Sequence, residues 1–405
     1  MRISTNQFYN SSISSLSEQQ VQLAKVNQQI AAQRTLINPA DDPIAASKEV
    51  QLSNKIQVTE QMLRNQSDLK GQLELSESTL IEAGSALQSV YSRLVQAGNP
   101  GLSDESRASL ATDITSLKAQ ILGIANTQDE SGNFVFAGYK QSTEPFVQTT
   151  SGIVYQGDGG VRQSQIGANR LVDVNLTGQY LFVDIPTGHS GINAEAGPAN
   201  TGTLLLTQVS LNDRTAWEAN RGLAPFEIEF GADGAYTVMD NTNAVVSSGV
   251  LDAGANSLSV GGISVSVEGT PNPGDTIALG ASGNESVFDT LDRAIAVLSK
   301  PDSDGVSIER NNELFQAVQS VQNALARVME GRTQLGSRLN EVEAASTNAQ
   351  ARADQLTEQL TKTVGADTES QIALASELAK RSYAVEAAQM TYAKVSQLSI
   401  FNFIK

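Results

Sequence analysis

The stretch Leu314-Phe-Gln-Ala-Val-Gln-Ser-Val-Gln-Asn-Ala-Leu-Ala-Arg-Val-Met-Glu-Gly-Arg-Thr-Gln-Leu-Gly-Ser-Arg-Leu-Asn-Glu-Val342 decides the fold. Leu314, Val321, Val328, Leu335 and Val342 recur every seventh residue, the period of a seam between packed helices. Val318, Leu325, Leu339, Ala353 and Leu360 form a companion row, interrupted by Arg332 and Ser346. The pattern predicts one helix from about Ser307 to Thr363, roughly 85 Å long at about 1.5 Å per residue. Gly365-Ala-Asp367 interrupts it, and a last helix carries Leu378, Val385 and Tyr392 at intervals of seven, with Val395 on the adjoining row. Leu398, Ile400, Phe401, Phe403 and Ile404 extend that apolar row.

The other flank repeats the pattern. Leu16, Leu23 and Ile30, with Ile37 just past the end, are seven apart along a predicted helix from about Thr5 to Arg34. Its companion positions, Gln20, Asn27 and Arg34, are polar, and so thin a stripe needs a partner. Asn38-Pro39-Ala-Asp41-Asp42-Pro43 breaks this helix and starts another, with Asp as cap and Pro43 in the first turn. Leu73, Leu80, Leu87 and Leu94 mark the second helix, which Gly98-Asn-Pro100 ends. Ser103-Asp-Glu105 opens a third, with Leu110, Ile114, Leu117, Ile121 and Ile124 on one face.

Between the flanks the composition changes. Of 32 glycines, 23 lie between Ser131 and Gly283, as do 11 of the 20 aromatic residues. Strands are expected at 161–166, 171–176, 204–209, 258–260, 263–267 and 276–279. Phe226–Phe230 and Ala235–Val238 alternate about Gly231-Ala-Asp-Gly234, a hairpin signal. Gly157-Asp-Gly-Gly160 reads as a hairpin turn. The expected class is α+β: a heptad-patterned helical rod built from both chain ends, with a β-rich insertion. Its parts are a terminal helix at 1–42 pairing with another at 364–405, helical rod segments at 43–186 and 284–363, the first including a hairpin region at 131–186, and an antiparallel β domain at 187–283.

Composition excludes much chemistry. The 405 residues contain no cysteine and one histidine, His189, which removes disulfides, thiolate metal sites and two-imidazole catalysis. A net charge of −17 disfavours nucleic acid and anionic membranes. No window approaches the ~18 apolar residues of a membrane span, and Met1–Asn10 lacks a secretory apolar run. His189 and Ser190, with Asp184 or Asp173, are the nearest thing to a nucleophilic site, but sequence proximity does not make a triad. Asp41-Asp42 lacks the spaced oxygens of a calcium loop and reads as a helix cap. No cofactor, metal or catalytic site is expected.

Several literal segments resemble the bacterial flagellin family. They are Met1-Arg-Ile-Ser-Thr-Asn6 before a Gln/Ser/Leu-rich helix, Ile37-Asn-Pro-Ala-Asp-Asp-Pro-Ile-Ala-Ala-Ser47 at the helix break, Leu335-Gly-Ser-Arg-Leu-Asn-Glu-Val342, and Leu378–Ile404. Asn133-Phe-Val-Phe-Ala-Gly-Tyr139, Pro145-Phe146 and Val154-Tyr-Gln-Gly-Asp158 are similar to the hairpin region of that family's hook–filament junction group. The resemblance implies a structural protein of the bacterial flagellum, extracellular and exported without a cleaved signal. It implies as partners the other junction protein, flagellin, an export chaperone, and further copies of itself in a ring. Leu16, Leu23, Ile30, Ile37, Leu378, Val385, Tyr392 and Val395 are the expected assembly contacts, with Asn38, Pro39, Asp41, Asp42 and Pro43 as the helix-break motif. A minor filament subunit, and an adhesin acting through the β insertion, remain as alternatives.

Overall fold

A computed structural model describes residues 5–150, 152–251, 257–301 and 306–397. Three helices lead the chain: α1 (Thr5–Ala31), α2 (Pro43–Ala97) and α3 (Asp104–Ala125). Two hairpins follow, β1 (Phe146–Thr149) with β2 (Gly152–Tyr155) and β3 (Gln163–Gly167) with β4 (Arg170–Asp173). A π-helical turn at Gln179–Val183 leads into β5 (Ile185–Pro186), β6 (Ile192–Ala196) and β7 (Leu205–Leu211). Next come α4 (Arg214–Asn220), β8 (Phe226–Phe230), β9 (Ala235–Met239), β10 (Val245–Val250), β11 (Ser257–Val260), β12 (Ile263–Glu268), β13 (Thr276–Ala281) and β14 (Asn284–Glu285). The chain returns to helix in α5 (Val287–Leu298), α6 (Val306–Thr363) and α7 (Thr368–Gln397). The class is α+β, with long helices from both flanks and a β-rich middle.

The chain divides into two compact units, Met1–Ser67 with Ala344–Lys405, and Asp68–Glu343. Both helix breaks, at 32–42 and 364–367, therefore lie inside the first unit. Ion pairs show why the first break stays there: Lys25 reaches Asp41 at 2.7 Å and Arg34 reaches Glu49 at 3.1 Å, so α1 is tied to the start of α2.

In the second unit, Leu69, Leu73, Ser76, Leu80, Ala83, Leu87, Val90, Leu94 and Ala97 of α2 are all buried, with steps alternating four and three. The matching row on α6 is Leu314, Ala317, Val321, Ala324, Val328, Gly331, Leu335 and Val342. The expected companions Val318, Leu325 and Leu339 are only half-buried. The second row lies three residues on from the first, not four, and is made of small residues. Gly331 shows the reason. A Cβ there would come within 3.0–3.2 Å of methyl groups on Leu181, Leu176 and Leu80, where helix, π-turn and α2 converge.

The hairpin region is fastened to α6 by polar side chains. Arg338 donates to the Asn175 carbonyl at 3.1 Å and to Asp173 at 3.4 Å, and Arg327 sits 4.4 Å from the centre of the Tyr180 ring. Beneath it, Phe136, Phe146, Phe182 and Phe288 are fully buried and stacked edge-on or tilted, with centroids 5.3–6.4 Å apart. Phe288 comes from α5, whose Ser286 cap accepts from the Phe288 amide and whose buried face packs on α3.

Gly157–Gly160 is not a hairpin turn. It joins β2 to β3, which belong to different hairpins. The Asp158 carboxylate accepts from the Tyr139 and Gly160 amides, and the Tyr155 hydroxyl donates to the Phe136 and Asp158 carbonyls, both at 2.9 Å. Desolvation pushes that phenol up to about 12. The segments 133–139 and 154–158 are thus interlocked by their own polar groups. The turn chemistry of Gly-Asp-Gly-Gly resembles a hairpin only locally.

The β domain pairs as expected between β8 and β9. A five-stranded antiparallel sheet, β10-β9-β8-β13-β6, and a three-stranded one, β11-β12-β7, share a core that includes Phe226, Ile228, Phe230, Val238, Ile263, Val265, Ile277 and Leu279. Alternation follows the pleat: β8 buries residues 226, 228 and 230 and exposes 227 and 229. Strands expected at 161–166 and 171–176 shift to β3 and β4: the Val174 amide still reaches the Arg162 carbonyl, but the Arg162 amide donates to the Asn175 side chain at 2.8 Å and the ladder ends there.

Candidate assembly interface

In the first unit, α1 packs against α7. Leu16, Leu23, Ile30 and Ile37 are each half-buried, as are Leu378 and Tyr392, while Val385 is buried. The Val395 side chain, the apolar residues 398–404 and Met1–Ser4 lie outside the described residues. Other large apolar side chains of this unit are buried more deeply than these: Val26, Leu36, Val364 and Leu374. Val26 follows Leu23 by three, and Gln19 follows Leu16 by three with its amide oxygen buried. The polar residues Gln20 and Asn27 face solvent. As in the second unit, the seam takes its second row at the three-residue step, not at the expected companion positions Gln20, Asn27 and Arg34. Leu36 and Val364 were not legible from the sequence, because both sit in the breaks.

The two breaks are joined to each other. The Val364 carbonyl accepts from the Thr35 amide at 2.9 Å, the Leu36 amide at 3.1 Å and the Thr35 hydroxyl at 3.1 Å. Gly365 has φ +64, and a Cβ there would overlap Thr35, so the chain turns with no room for a side chain. Each break also caps the helix after it. Asp42 accepts from the Ile44 and Ala45 amides at 3.0 and 2.9 Å. Asp367 accepts from the Ser370 amide and hydroxyl at 3.2 and 2.6 Å. The paired aspartates have separate tasks: Asp42 caps α2, and Asp41 holds Lys25.

Hydrogen bonding from Lys25 holds the Asp41 carboxyl below its ordinary range, and the Ser370 hydroxyl does the same for Asp367. Both therefore bind protons less readily folded than unfolded. Their contribution to stability is present above the ordinary aspartate value of 3.8 and is lost as pH falls through the lowered folded values. Acid should loosen the α1–α7 unit in wild type. Asp367→Asn keeps a capping oxygen without a proton to bind, so its helix signal against pH should show a flatter acid limb. An acid limb unchanged by this substitution would refute the assignment.

His189 and Ser190 are exposed in a tight turn in which the His189 amide donates to the Ile192 carbonyl. Asp173 is taken by Arg338 and Gln163. Among the described residues, no three His, Asp or Glu side chains gather as metal ligands, and no helix is long and apolar enough to cross a membrane.

Several large apolar side chains nevertheless stay exposed on these helices. Ile13 and Val21 on α1, Ile44, Val50 and Val58 on α2, and Ile372, Tyr383 and Met390 on α7 face solvent, with Ile44 72% and Tyr383 73% accessible. On α7 these outward residues and the inward Leu374, Leu378 and Val385 distribute apolar surface around the helix. A helix apolar on more than one side is built to be covered on more than one side.

Residues 3–141 match the bacterial flagellin N-terminal helical region. Over 185 residues, 46% of the chain, it is 36% identical to flagellar hook-associated protein 3 of Salmonella typhimurium, and the match spans 58% of that relative's length. In structure it is similar to FlgL of Xanthomonas campestris, at 27% identity and a TM-score of 0.71 over 76% of this chain and 99% of that one. It is equally similar to the flagellar junction protein FlgL of Legionella pneumophila, at 27% identity and a TM-score of 0.69 over 78% of this chain and 99% of that one. The chain thus matches the flagellin N-terminal helical region over residues 3–141 and, over three quarters of its length, is similar in fold to the FlgL proteins.

Proposed function

We propose that this protein is a structural adaptor of the bacterial flagellum, outside the cell, that joins hook to filament through its terminal helices. The observation that carries this reading is the apolar surface around α7, one side against α1 and the other open. Neighbouring subunits would cover the open side, each buried side chain of this size contributing ~1.5–3 kcal/mol. The named roles of the similar proteins, hook-associated and junction, support the position. The partners that follow are further copies in a ring, the other junction protein on one side, flagellin on the other, and an export chaperone that shields the C-terminal helices. No step in this role makes or breaks a covalent bond.

Labelling the intact organelle tests it. A single band at the distal end of the hook is the expected result. Signal along the whole filament would make the protein a filament subunit instead.

A further inference from the structure

A cavity of about 230 Å³ lies within the second unit, lined from the loop after β5 and from β6, β14, α5 and α6. Apart from Gly188, every residue that lines it carries a polar or charged side chain. Its walls are fixed by their own hydrogen bonds. Asn323 of α6 donates to the Pro186 and Gly188 carbonyls, both at 2.7 Å. The Thr187 amide donates to the Gly283 carbonyl at 2.9 Å, and Asn284 pairs with Pro186 in the β14–β5 ladder. The segments 186–188 and 283–285 are thereby held against α6, so the cavity is preorganised.

Several groups in this lining lack hydrogen bonds that they could make. Ser320 of α6 is only 4% exposed. Other hydroxyls of this helix donate to the carbonyl four residues back, as Thr333 and Thr357 do at 2.9 and 2.8 Å. Ser320 makes no such bond and has no other partner among the described residues, so its hydroxyl has only the cavity to face. A buried polar group in that position is costly unless something else meets it. Two carboxylates are half used. Glu285 accepts from the Thr290 hydroxyl at 3.0 Å and from Arg293 at 2.7 Å, both through Oε2. Glu195 accepts from the Asn193 side chain at 2.7 Å through Oε1. The second oxygen of each is left over.

The charge balance selects what can enter. Arg293 is the one cation of the lining, and Glu285 shares it with Glu313, 4.0 Å away. Burial pushes the Glu285 carboxyl above its ordinary range, a cost that a cation beside it would offset. We propose that this cavity binds a small organic cation, whose ammonium or guanidinium group sits among Glu195, Glu285 and Ser320. Such groups donate hydrogen bonds and never accept them, which suits the acceptors left over here. Other ligand classes fit worse. An anion would meet two carboxylates. Among the described residues no three His, Asp or Glu side chains gather to hold a metal ion. An apolar or ring-stacking ligand would find neither aliphatic nor aromatic side chains in the lining. The cationic group comes either from a free amine or from a Lys or Arg side chain of a neighbouring chain. The site uses no residue of α1 or α7, so it holds or fails independently of the adaptor reading.

Titration calorimetry of the full-length protein with butylammonium, butanol and butyrate separates charge from shape, because the three share a carbon chain. Butylammonium should bind saturably, once per chain, at millimolar concentration or below, and butanol and butyrate should not. Glu195→Gln and Glu285→Gln should each weaken it about tenfold, and Ser320→Ala several-fold. Glu82→Gln, an exposed control on α2, should leave it unchanged. Glu195 is itself exposed, so Glu195→Gln should melt as the wild type does and carries the test if Glu285→Gln folds poorly. An amine released from the protein on denaturation, read by mass spectrometry, marks a free molecule as the source. A chain that releases none takes the group from a neighbour's side chain. Butylammonium binding equally to the wild type, Glu195→Gln and Glu285→Gln would overturn the proposal. So would butanol or butyrate binding as tightly, or the lack of any saturable binding.

Discussion

Cells whose only copy of this protein lacks residues 382–405 are expected to build hooks and shed or fail to hold filaments, while the purified truncated protein keeps the melting transition of its second unit. The reason is the separation of tasks between the two units. Truncation removes Val385, Tyr392, Tyr383 and Met390, which are the inward and outward apolar residues of α7 past its third turn. The residues it removes belong to the first unit, whereas the seam of Leu69–Ala97 with Leu314–Val342, the four-phenylalanine cluster and the β-domain core belong to the second. At ~1.5–3 kcal/mol for each large side chain buried, losing the outward Tyr383 and Met390 removes association free energy directly, and losing the inward Val385 and Tyr392 loosens the packing of α1 on α7 that presents them. Swimming cells with filaments attached would show that the terminal helices are dispensable, and the adaptor reading would fall with them.

What the sequence disclosed depends on whether a residue announces its role locally. Helix ends were legible because Asn38-Pro-Ala-Asp-Asp-Pro43, Gly98-Asn-Pro100 and Ser103 act through their own backbone and caps, and the helices begin at Pro43 and Asp104 and end at Ala97 accordingly. Strand pairing of β8 with β9 was legible from alternation about a turn. The companion seam rows were misplaced because Ala317, Ala324 and Gly331 carry too little apolar surface to stand out beside Val318 and Leu325, although geometry prefers them. α5 was masked by the longer heptad rows beside it, although Val287, Phe288, Leu291, Ala294, Val297 and Leu298 repeat at helical spacing. Its role, placing Phe288 against Phe146 and Phe182, is set by contacts across more than a hundred residues of chain. The tie between Thr35 and Val364 has the same character: 329 residues separate its ends, and nothing in either local sequence points to the other. The outward apolar residues of α7 were in plain view, but without the fold they read as irregularities in a heptad.

Phe182→Ala should produce the converse of the truncation: a protein that is much less stable yet still assembles when folded. Phe182 is fully buried and lies 6.0, 5.8 and 6.4 Å from the rings of Phe136, Phe146 and Phe288. Deleting such a ring costs about 3–5 kcal/mol, a large part of the roughly 5–15 kcal/mol that holds a typical domain together. The cluster joins the π-turn, the first hairpin and α5, so its collapse should lower the melting transition of the second unit by many degrees. Its residues belong to the second unit, and α1 and α7 to the first. Cells carrying Phe182→Ala should accordingly hold filaments at low growth temperature and lose them as the temperature rises, and a revertant that restores stability elsewhere in the core should restore attachment. Filament loss at every temperature, with the purified protein still folded in the cold, would mean that the second unit makes assembly contacts of its own. A pair of variants in which one loses assembly without stability and the other loses stability without assembly is what a protein divided into a binding unit and a supporting unit must show.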